Sequence, residues 1–397
     1  MEYSIFGCRL NKYYLNQWLN YFTSHDFAKK WFLITTCEVT DRAKQKWIKL
    51  AKKKLTDGHH LYLTGCGTLQ RGHKIAAEKF YVLYPDLRRF SDAITLLPES
   101  PEESVECRVG SVEWRTNVYT KGFVIIQNGC DNHCSFCLTV LKRGKHSSRG
   151  KEEIVEEVRN IEECWGKEIV LTWVNIAAWW CSNSTKANES KFADLLHYIL
   201  DNTTIPRIRI SSLGPEYLDD AFFKVIQDER ILPHFHLSIQ SFSNGVLQRM
   251  KRNYTYKELA HVLMKFRSLK RSVPVSLWAD IIIWFPGETE DEFQETLKWI
   301  EIFKINKVHS FPFSDHHLWE KIPASLLPDQ VDQMTKKRRE KILKKIADVI
   351  ANDFLKQNTW ISHKVLVEWK GSGWTENYIK VEVNPKYKKW EIIQVEL

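Results

Sequence analysis

Short apolar runs alternate with amphipathic stretches along almost the whole chain. Near the start, runs over 4–7, 32–36 and 61–65 lead directly into Cys8, Cys37 and Cys66. Both intervals between these cysteines are 29 residues. Stretches of helical periodicity follow over 41–54 and 74–80. A strand, cysteine, helix unit repeated in this way predicts a parallel sheet with all three thiols at the carboxyl ends of strands. That edge is where open α/β sheets take ligands.

Further on, β-type runs at 123–127, 168–172, 207–211, 234–239, 276–283 and 307–311 alternate with helical stretches that include 152–163, 192–200, 256–268 and 290–302. Six such units predict a partial parallel (β/α)6 barrel with its chemistry at the carboxyl ends of the strands. A basic amphipathic helix over 336–352 precedes two strands, 364–368 and 378–383, with turn signals at 371–373 and at Asn384-Pro385. These read as a small β module. The acidic, proline-containing run 98–103 reads as part of a linker. The chain thus divides into an N-terminal α/β domain (1–97), a linker (98–115), a central domain (116–352) and a C-terminal module (353–397).

Length and charge fit this picture. A chain of 397 residues exceeds one ordinary core. A net charge of +9 suits a polyanionic partner. No apolar run is long enough to span a bilayer and the start does not read as a signal peptide, so the expected compartment is the cytoplasm, without membrane association. Nine cysteines in a reducing compartment point to metal ligation where their spacing is orderly. Tryptophan and glycine both occur 16 times, whereas ordinary usage gives roughly 28 glycines in a chain of this length.

Cys130, Cys134 and Cys137 stand in a C-x3-C-x2-C loop directly after a predicted strand. A [4Fe–4S] cube is usually held by four thiolates, so three in one loop leave one iron open. That iron can chelate the amino and carboxylate groups of S-adenosylmethionine (SAM). The alternative is a zinc site completed by His133 or a distant cysteine, although zinc sites usually pair C-x2-C with a second pair. Cys8, Cys37 and Cys66 also number three; the alternative there is three buried core cysteines. Cys107, Cys164 and Cys181 show no orderly spacing. Lys142, Arg143, Lys145, His146 and Arg149 crowd the loop after Cys137. Such a loop suits a phosphate backbone; the alternative is a solvated surface loop.

These residues resemble the radical SAM methylthiotransferases over nearly the whole chain. Phe6-Gly7-Cys8-Arg9-Leu10-Asn11, Thr35-Thr36-Cys37-Glu38-Val39-Thr40 and Leu63-Thr64-Gly65-Cys66 are similar to that family's N-terminal cluster domain. The run from Asn128 to Arg149 resembles its radical SAM loop, and Leu366-Val367-Glu368 with Thr375-Glu376-Asn377-Tyr378-Ile379 resembles the RNA-binding β-barrel called TRAM. The stretch from Cys37 to Ala43, Glu168 to Ile176 and Arg207 to Ser212 resemble the branch that modifies threonylcarbamoyladenosine beside the tRNA anticodon.

The resemblance implies a tRNA-modifying enzyme with two [4Fe–4S] clusters and SAM that places a methylthio group on carbon 2 of the adenine. One SAM supplies the methyl and another the 5′-deoxyadenosyl radical. Cys130, Cys134 and Cys137 would hold the radical cluster, and Cys8, Cys37 and Cys66 the cluster that carries sulfur. Phe136, Thr172, Trp173, Asn175, Ser211 and Trp284 would surround SAM. Lys142, Arg143, Lys145 and Arg149 would meet RNA. The implied partners are the tRNA anticodon stem-loop, an electron donor and a sulfur source, with the chain acting as a monomer. Isopentenyladenosine in tRNA or a ribosomal protein are alternative substrates of the same chemistry. A non-catalytic, metal-containing RNA-binding protein is the alternative of another class.

The chain departs from the family at glycine positions. It has Leu171-Thr172-Trp173-Val174-Asn175 and Trp284-Phe285-Pro286-Gly287-Glu288 where members carry glycine in place of the tryptophan, and Trp180 and Trp319 also stand where glycine is expected. Two accounts compete. Either these are UGA codons of an organism that reads UGA as glycine, or they are true tryptophans in a divergent core. The first accounts for the tryptophan excess and the glycine shortage together.

Overall fold

The computed structural model describes residues 2–6, 9–24, 31–38, 40–98, 120–181, 191–314, 322–368 and 371–397. Contacts divide the chain into two compact units: Met1–Val118 with Asn128–Ser147 and Ser314–Leu326, and Tyr119–Gln127 with Ser148–Phe313 and Leu327–Leu397.

The first unit is built on β1 (Glu2–Ile5), α1 (Arg9–Ser24), β2 (Trp31–Thr36), α2 (Asp41–Thr56), β3 (His60–Gly65) and β4 (Ile94–Leu96). Its four strands are parallel in the order β1-β2-β3-β4. Side chains alternate across the sheet as a two-residue period requires. Phe32, Ile34, Leu61 and Leu63 pack with Trp47, Ala51 and Leu55 of α2, whereas Leu33 and Tyr62 pack with Leu15, Trp18 and Phe22 of α1. The result is helix, sheet, helix: three layers. Helix α1 is the helix expected after the first strand–cysteine unit, and much of its buried stripe is aromatic: Tyr14, Trp18 and Phe22. Thr40 caps α2 by accepting from the Ala43 N–H.

The second unit carries the parallel strands β5 (Gly122–Ile125), β6 (Glu168–Thr172), β7 (Arg207–Ile210), β8 (His234–Gln240), β9 (Ser276–Ile283) and β10 (Lys307–Pro312). Between them lie α3 (Lys151–Glu163), α4 (Phe192–Asn202), α5 (Tyr256–Arg267) and α6 (Glu290–Ile302). The six expected strands are all present. Hydrogen bonding groups them as β7-β6-β5 and as Ser212–Leu213 followed by β8-β9-β10, with the break at Ser211. Thr255 and Thr289 open α5 and α6 through full capping boxes with Glu258 and Glu292. Helix α7 (Gln333–Gln357) leads to β11 (Ser362–Val367), β12 (Ser372–Trp374), β13 (Lys380–Glu382) and β14 (Ile392–Glu396). These form a four-stranded antiparallel sheet in the order β13-β12-β11-β14.

A buried charge cluster ties that sheet to the base of the parallel strands. Glu168 accepts from Arg207 Nε (2.8 Å) and Arg209 Nε (2.7 Å). Their remaining guanidinium hydrogens go to the carbonyls of Lys364, Trp374, Thr375 and Glu376. Burial alone would raise the Glu168 carboxyl, but Arg209, Arg207 and Lys121 outweigh it and hold it well below the usual carboxylate range. Its stabilising effect is whole above its ordinary value near pH 4.5 and is lost as pH falls toward the folded value. Glu168→Gln removes the carboxylate that two buried guanidiniums share. It is expected to cost about 3–5 kcal/mol in urea denaturation at pH 7, with the gap to the parent shrinking in acid.

Tryptophan occupies backbone that glycine normally fills. Trp165 (φ 67°), Trp180 (54°), Trp284 (56°), Trp360 (65°) and Trp390 (79°) are all left-handed, a region that costs side-chain-bearing L-residues energy and where a bulky one is an outlier. After α3 the Trp165 N–H reaches the Glu162 carbonyl (2.9 Å) and the Gly166 N–H reaches that of Ile161 (2.8 Å). This is a Schellman ending with Trp165 at its glycine position. The Trp165 and Trp360 indoles are 77% and 82% exposed, so packing does not compensate the strain. Trp180 and Trp284 are thus left-handed, as glycine positions often are. Trp173 is buried and has ordinary backbone; Trp319 lies outside the described residues.

Candidate functional site

Within the first unit, Thr36 and Gly65 are paired partners in the sheet, and each is followed by a cysteine. Cys37 and Cys66 therefore leave adjacent strands at the same level. Cys37 is buried and Cys66 half-buried. Cys8 lies outside the described residues. Gly65 (φ 97°) permits this: a Cβ there would lie 2.7 Å from the Thr36 carbonyl oxygen. Beside Cys37, buried Glu38 pairs with Lys44 (3.5 Å) and accepts from the Tyr84 hydroxyl (2.9 Å). Burial, reinforced by Glu38, pushes the Tyr84 phenol well above its ordinary value, so it stays a hydrogen-bond donor.

The same unit contains the loop with Cys130, Cys134 and Cys137, all half-buried. Gly129 (φ 67°) is essential there, since a Cβ would collide with the Lys145 carbonyl. The Cys137 N–H donates to the Cys134 carbonyl (3.1 Å), and the Thr139 N–H to Cys137 Sγ (3.4 Å). Phe136 is half-buried and His133 is exposed. The short helix Thr139–Arg143 is held by the N–H groups of Arg71 and Gly72, which donate to the Leu141 and Lys142 carbonyls (2.8 Å each).

That helix carries the contact that sequence reasoning missed. Arg143 is buried and donates from Nη2 to Cys66 Sγ at 3.2 Å, joining the Cys130–Cys137 loop to Cys66 within one unit. Sequence gave only a run of cations, without their directions. Of the others, Lys142 is buried and Lys145 exposed. Arg149 is engaged by Glu153 (2.7 Å), Glu157 (2.6 Å) and the Ile125 carbonyl (2.6 Å).

In the second unit, Thr172, Trp173, Asn175, Ser211 and Trp284 all lie at or just past the carboxyl ends of β6, β7 and β9, and all are buried. Asn175 Oδ1 and Ser211 Oγ have no hydrogen-bond partner. Buried polar atoms are rarely left so, and orphans at a strand-end edge mark a place for a polar ligand. Trp284 opens a clamped turn: Glu288 Oε2 accepts from the Trp284 N–H (2.7 Å) and from Arg339 Nη1 (3.0 Å). Burial pushes the Glu288 carboxyl up to about 7 against the pull of Arg339. Gln240, which the sequence did not single out, ends β8 buried and left-handed (φ 71°).

The donor sets fit the groups expected of them. The three thiols of the Cys130–Cys137 loop suit an iron–sulfur cube with an open iron, and the orphaned Asn175 and Ser211 atoms suit the polar groups of SAM.

Comparison with known proteins agrees. The radical SAM superfamily model matches residues 124–300. The chain is 30% identical, over its whole length and 94% of the relative, to the threonylcarbamoyladenosine tRNA methylthiotransferase MtaB of Rickettsia prowazekii. It is 31% identical to the enzyme of the same name from Thermotoga maritima, covering 95% of this chain and 89% of that one. A tRNA-2-methylthio-N(6)-dimethylallyladenosine synthase of Anaeromyxobacter is 28% identical over 84% of this chain and 78% of its own.

Proposed function

The chain belongs to the radical SAM tRNA methylthiotransferases, and from that membership we propose that it converts threonylcarbamoyladenosine beside the tRNA anticodon to its 2-methylthio derivative. The observation that carries this reading is the contact, within one compact unit, of Arg143 of the radical SAM loop with Cys66 beside Cys37. Methylthiolation needs a radical source and a sulfur source that work together.

Cys130, Cys134 and Cys137 would hold a [4Fe–4S] cluster. When bound, that cluster would supply an iron for SAM to chelate and the electron for reductive cleavage of the sulfonium. Thr139 directs its backbone N–H at Cys137 Sγ and so orients that ligand. Asn175 and Ser211 would take polar groups of SAM. Cys8, Cys37 and Cys66 would hold a second [4Fe–4S] cluster, with the Arg143 guanidinium offsetting the negative charge of the thiolates. The C-terminal antiparallel sheet would act as a TRAM-like RNA contact, with Lys145 the exposed cation of the radical loop. An electron donor and a sulfur source complete the partners of a cytoplasmic, monomeric enzyme. Among the described residues, no helix is long and apolar enough to cross a membrane.

The test is expression in a bacterium deleted for its own enzyme of this type, followed by nucleoside analysis of its tRNA. The expected result is the return of 2-methylthio-threonylcarbamoyladenosine. Return of 2-methylthio-isopentenyladenosine alone, in a host lacking both activities, would assign the other substrate.

A further inference from the structure

The inner faces of β8, β9 and β10 carry a polar layer that the function above does not use. On β9, Leu277, Ala279, Ile281 and Ile283 are fully buried on one face, and Trp278 and Asp280 point the other way. Asp280 is the paired partner of His309, and Trp278 that of His236. His236 Nε2 lies 2.8 Å from Asp280 Oδ1 and His309 Nδ1 lies 3.5 Å from it, with the imidazoles edge to face at 4.9 Å. Burial alone would raise the Asp280 carboxyl, but His236 and His309 hold it down to about 2. It is therefore an ionised acceptor that fixes both rings and leaves His236 Nδ1 and His309 Nε2 to a ligand.

The layer has a floor on one side and faces the ligand-binding edge on the other. Toward the amino ends of the strands, Trp278 stacks edgewise on His234 (4.6 Å) and Tyr378 (5.1 Å), and Tyr378 covers Arg209 (4.3 Å). These rings form a floor. Toward the carboxyl ends the next pair on the same face is Ile282 with Phe311, and the His309 side chain, on the outermost strand of its sheet, remains 34% exposed. A group that reaches past Ile282 and Phe311 from the ligand-binding edge meets His236, Asp280 and His309 as a polar surface resting on that floor.

The two substrate classes of this family differ in what they would bring there. A threonylcarbamoyl substituent carries urea N–H groups, a hydroxyl and a carboxylate; a dimethylallyl substituent is a branched hydrocarbon. Hydrocarbon placed on this layer would strip water from three polar side chains and return no hydrogen bond. A site built for hydrogen bonds rejects such a ligand far more strongly than an apolar pocket rejects a polar one. Resting on the function proposed above, we propose that His236, Asp280 and His309 recognise the threonylcarbamoyl group and set the enzyme's preference for it over a hydrocarbon-substituted adenosine.

The experiment compares reconstituted parent, His309→Phe, His309→Gln and Asp280→Asn on two anticodon stem-loop RNAs. The RNAs are identical except for threonylcarbamoyl or dimethylallyl on the target adenine. The parent should prefer the first by at least about a hundredfold in kcat/KM. His309→Phe and Asp280→Asn should lose most of that preference, chiefly through KM on the first RNA, and His309→Gln should recover part of it. Iron content and thermal midpoint matching the parent establish that each variant is folded. Variants that keep the parent's ratio overturn the inference and leave the function standing. A parent that makes no methylthio product from either RNA overturns both. Because the three donor groups lie within 4.8 Å of one another, metal analysis is part of the test. One equivalent of zinc or another dication, present in the parent and lost in Asp280→Asn, would make this a metal site and overturn the recognition role.

Discussion

Glycine in place of Trp165, Trp180, Trp360 and Trp390 stabilises the chain by about 2–4 kcal/mol in total. A left-handed backbone costs a side-chain-bearing residue about 1–2 kcal/mol. Glycine returns some of the gain through its greater freedom in the unfolded state, about 0.4–1 kcal/mol per site. The net is about 0.5–1 kcal/mol per site, and effects at sites far apart add. Trp165 and Trp360 show the effect most cleanly because their indoles touch little. Urea midpoints of the single and combined variants measure it. At Trp284 and Trp173 the effect is on ligand binding. Both indoles are buried at strand ends beside the orphaned Asn175 and Ser211 atoms or the Glu288 clamp, so Trp173→Gly with Trp284→Gly should raise SAM affinity at least tenfold in equilibrium dialysis. If UGA is read as glycine in the source organism, peptide mass spectrometry of the native protein finds glycine at these positions. Tryptophan at every one of them in active native enzyme would end that account.

The cysteine sets should separate by function. Cys134→Ala leaves two thiolates in the loop, too few for the cube, so reductive SAM cleavage should fall by at least about a hundredfold and product with it. Cys37→Ala leaves the loop intact. It should still form 5′-deoxyadenosine at a rate within a few-fold of the parent, yet give methylthio product at the background level. Iron analysis should show about half the parent's content in each. Equal iron in Cys37→Ala and parent would remove the N-terminal cysteines from cluster binding.

Much of this was legible in the chain. Apolar runs located each of the six central strands, most plainly Glu168–Thr172, which is buried throughout and carries Ile, Val and Leu in succession. Equal 29-residue intervals placed Cys37 and Cys66 at matching strand ends. What sequence withheld is direction. The buried Arg143 looks like any other cation of its loop, and only the packing of Thr139–Arg143 against Arg71 and Gly72 turns it to Cys66. The charge cluster at Glu168 draws on strands far apart in sequence. The His236, Asp280, His309 layer was visible only as polar residues interrupting apolar strands at a two-residue period, a signal that gains meaning once register sets them side by side. Trp165, Trp360 and Trp390 gave no sign in sequence, since left-handed backbone is a property of helix ends and turns in three dimensions.

The central claim is methylthio transfer to threonylcarbamoyladenosine. Its most direct measurement is mass analysis of a threonylcarbamoyl-bearing anticodon stem-loop after incubation with anaerobically reconstituted protein, SAM, sulfide and reductant. The account predicts a 2-methylthio product that requires SAM and reductant, accompanied by 5′-deoxyadenosine. Brisk SAM cleavage that leaves this RNA unchanged under the same conditions would contradict it.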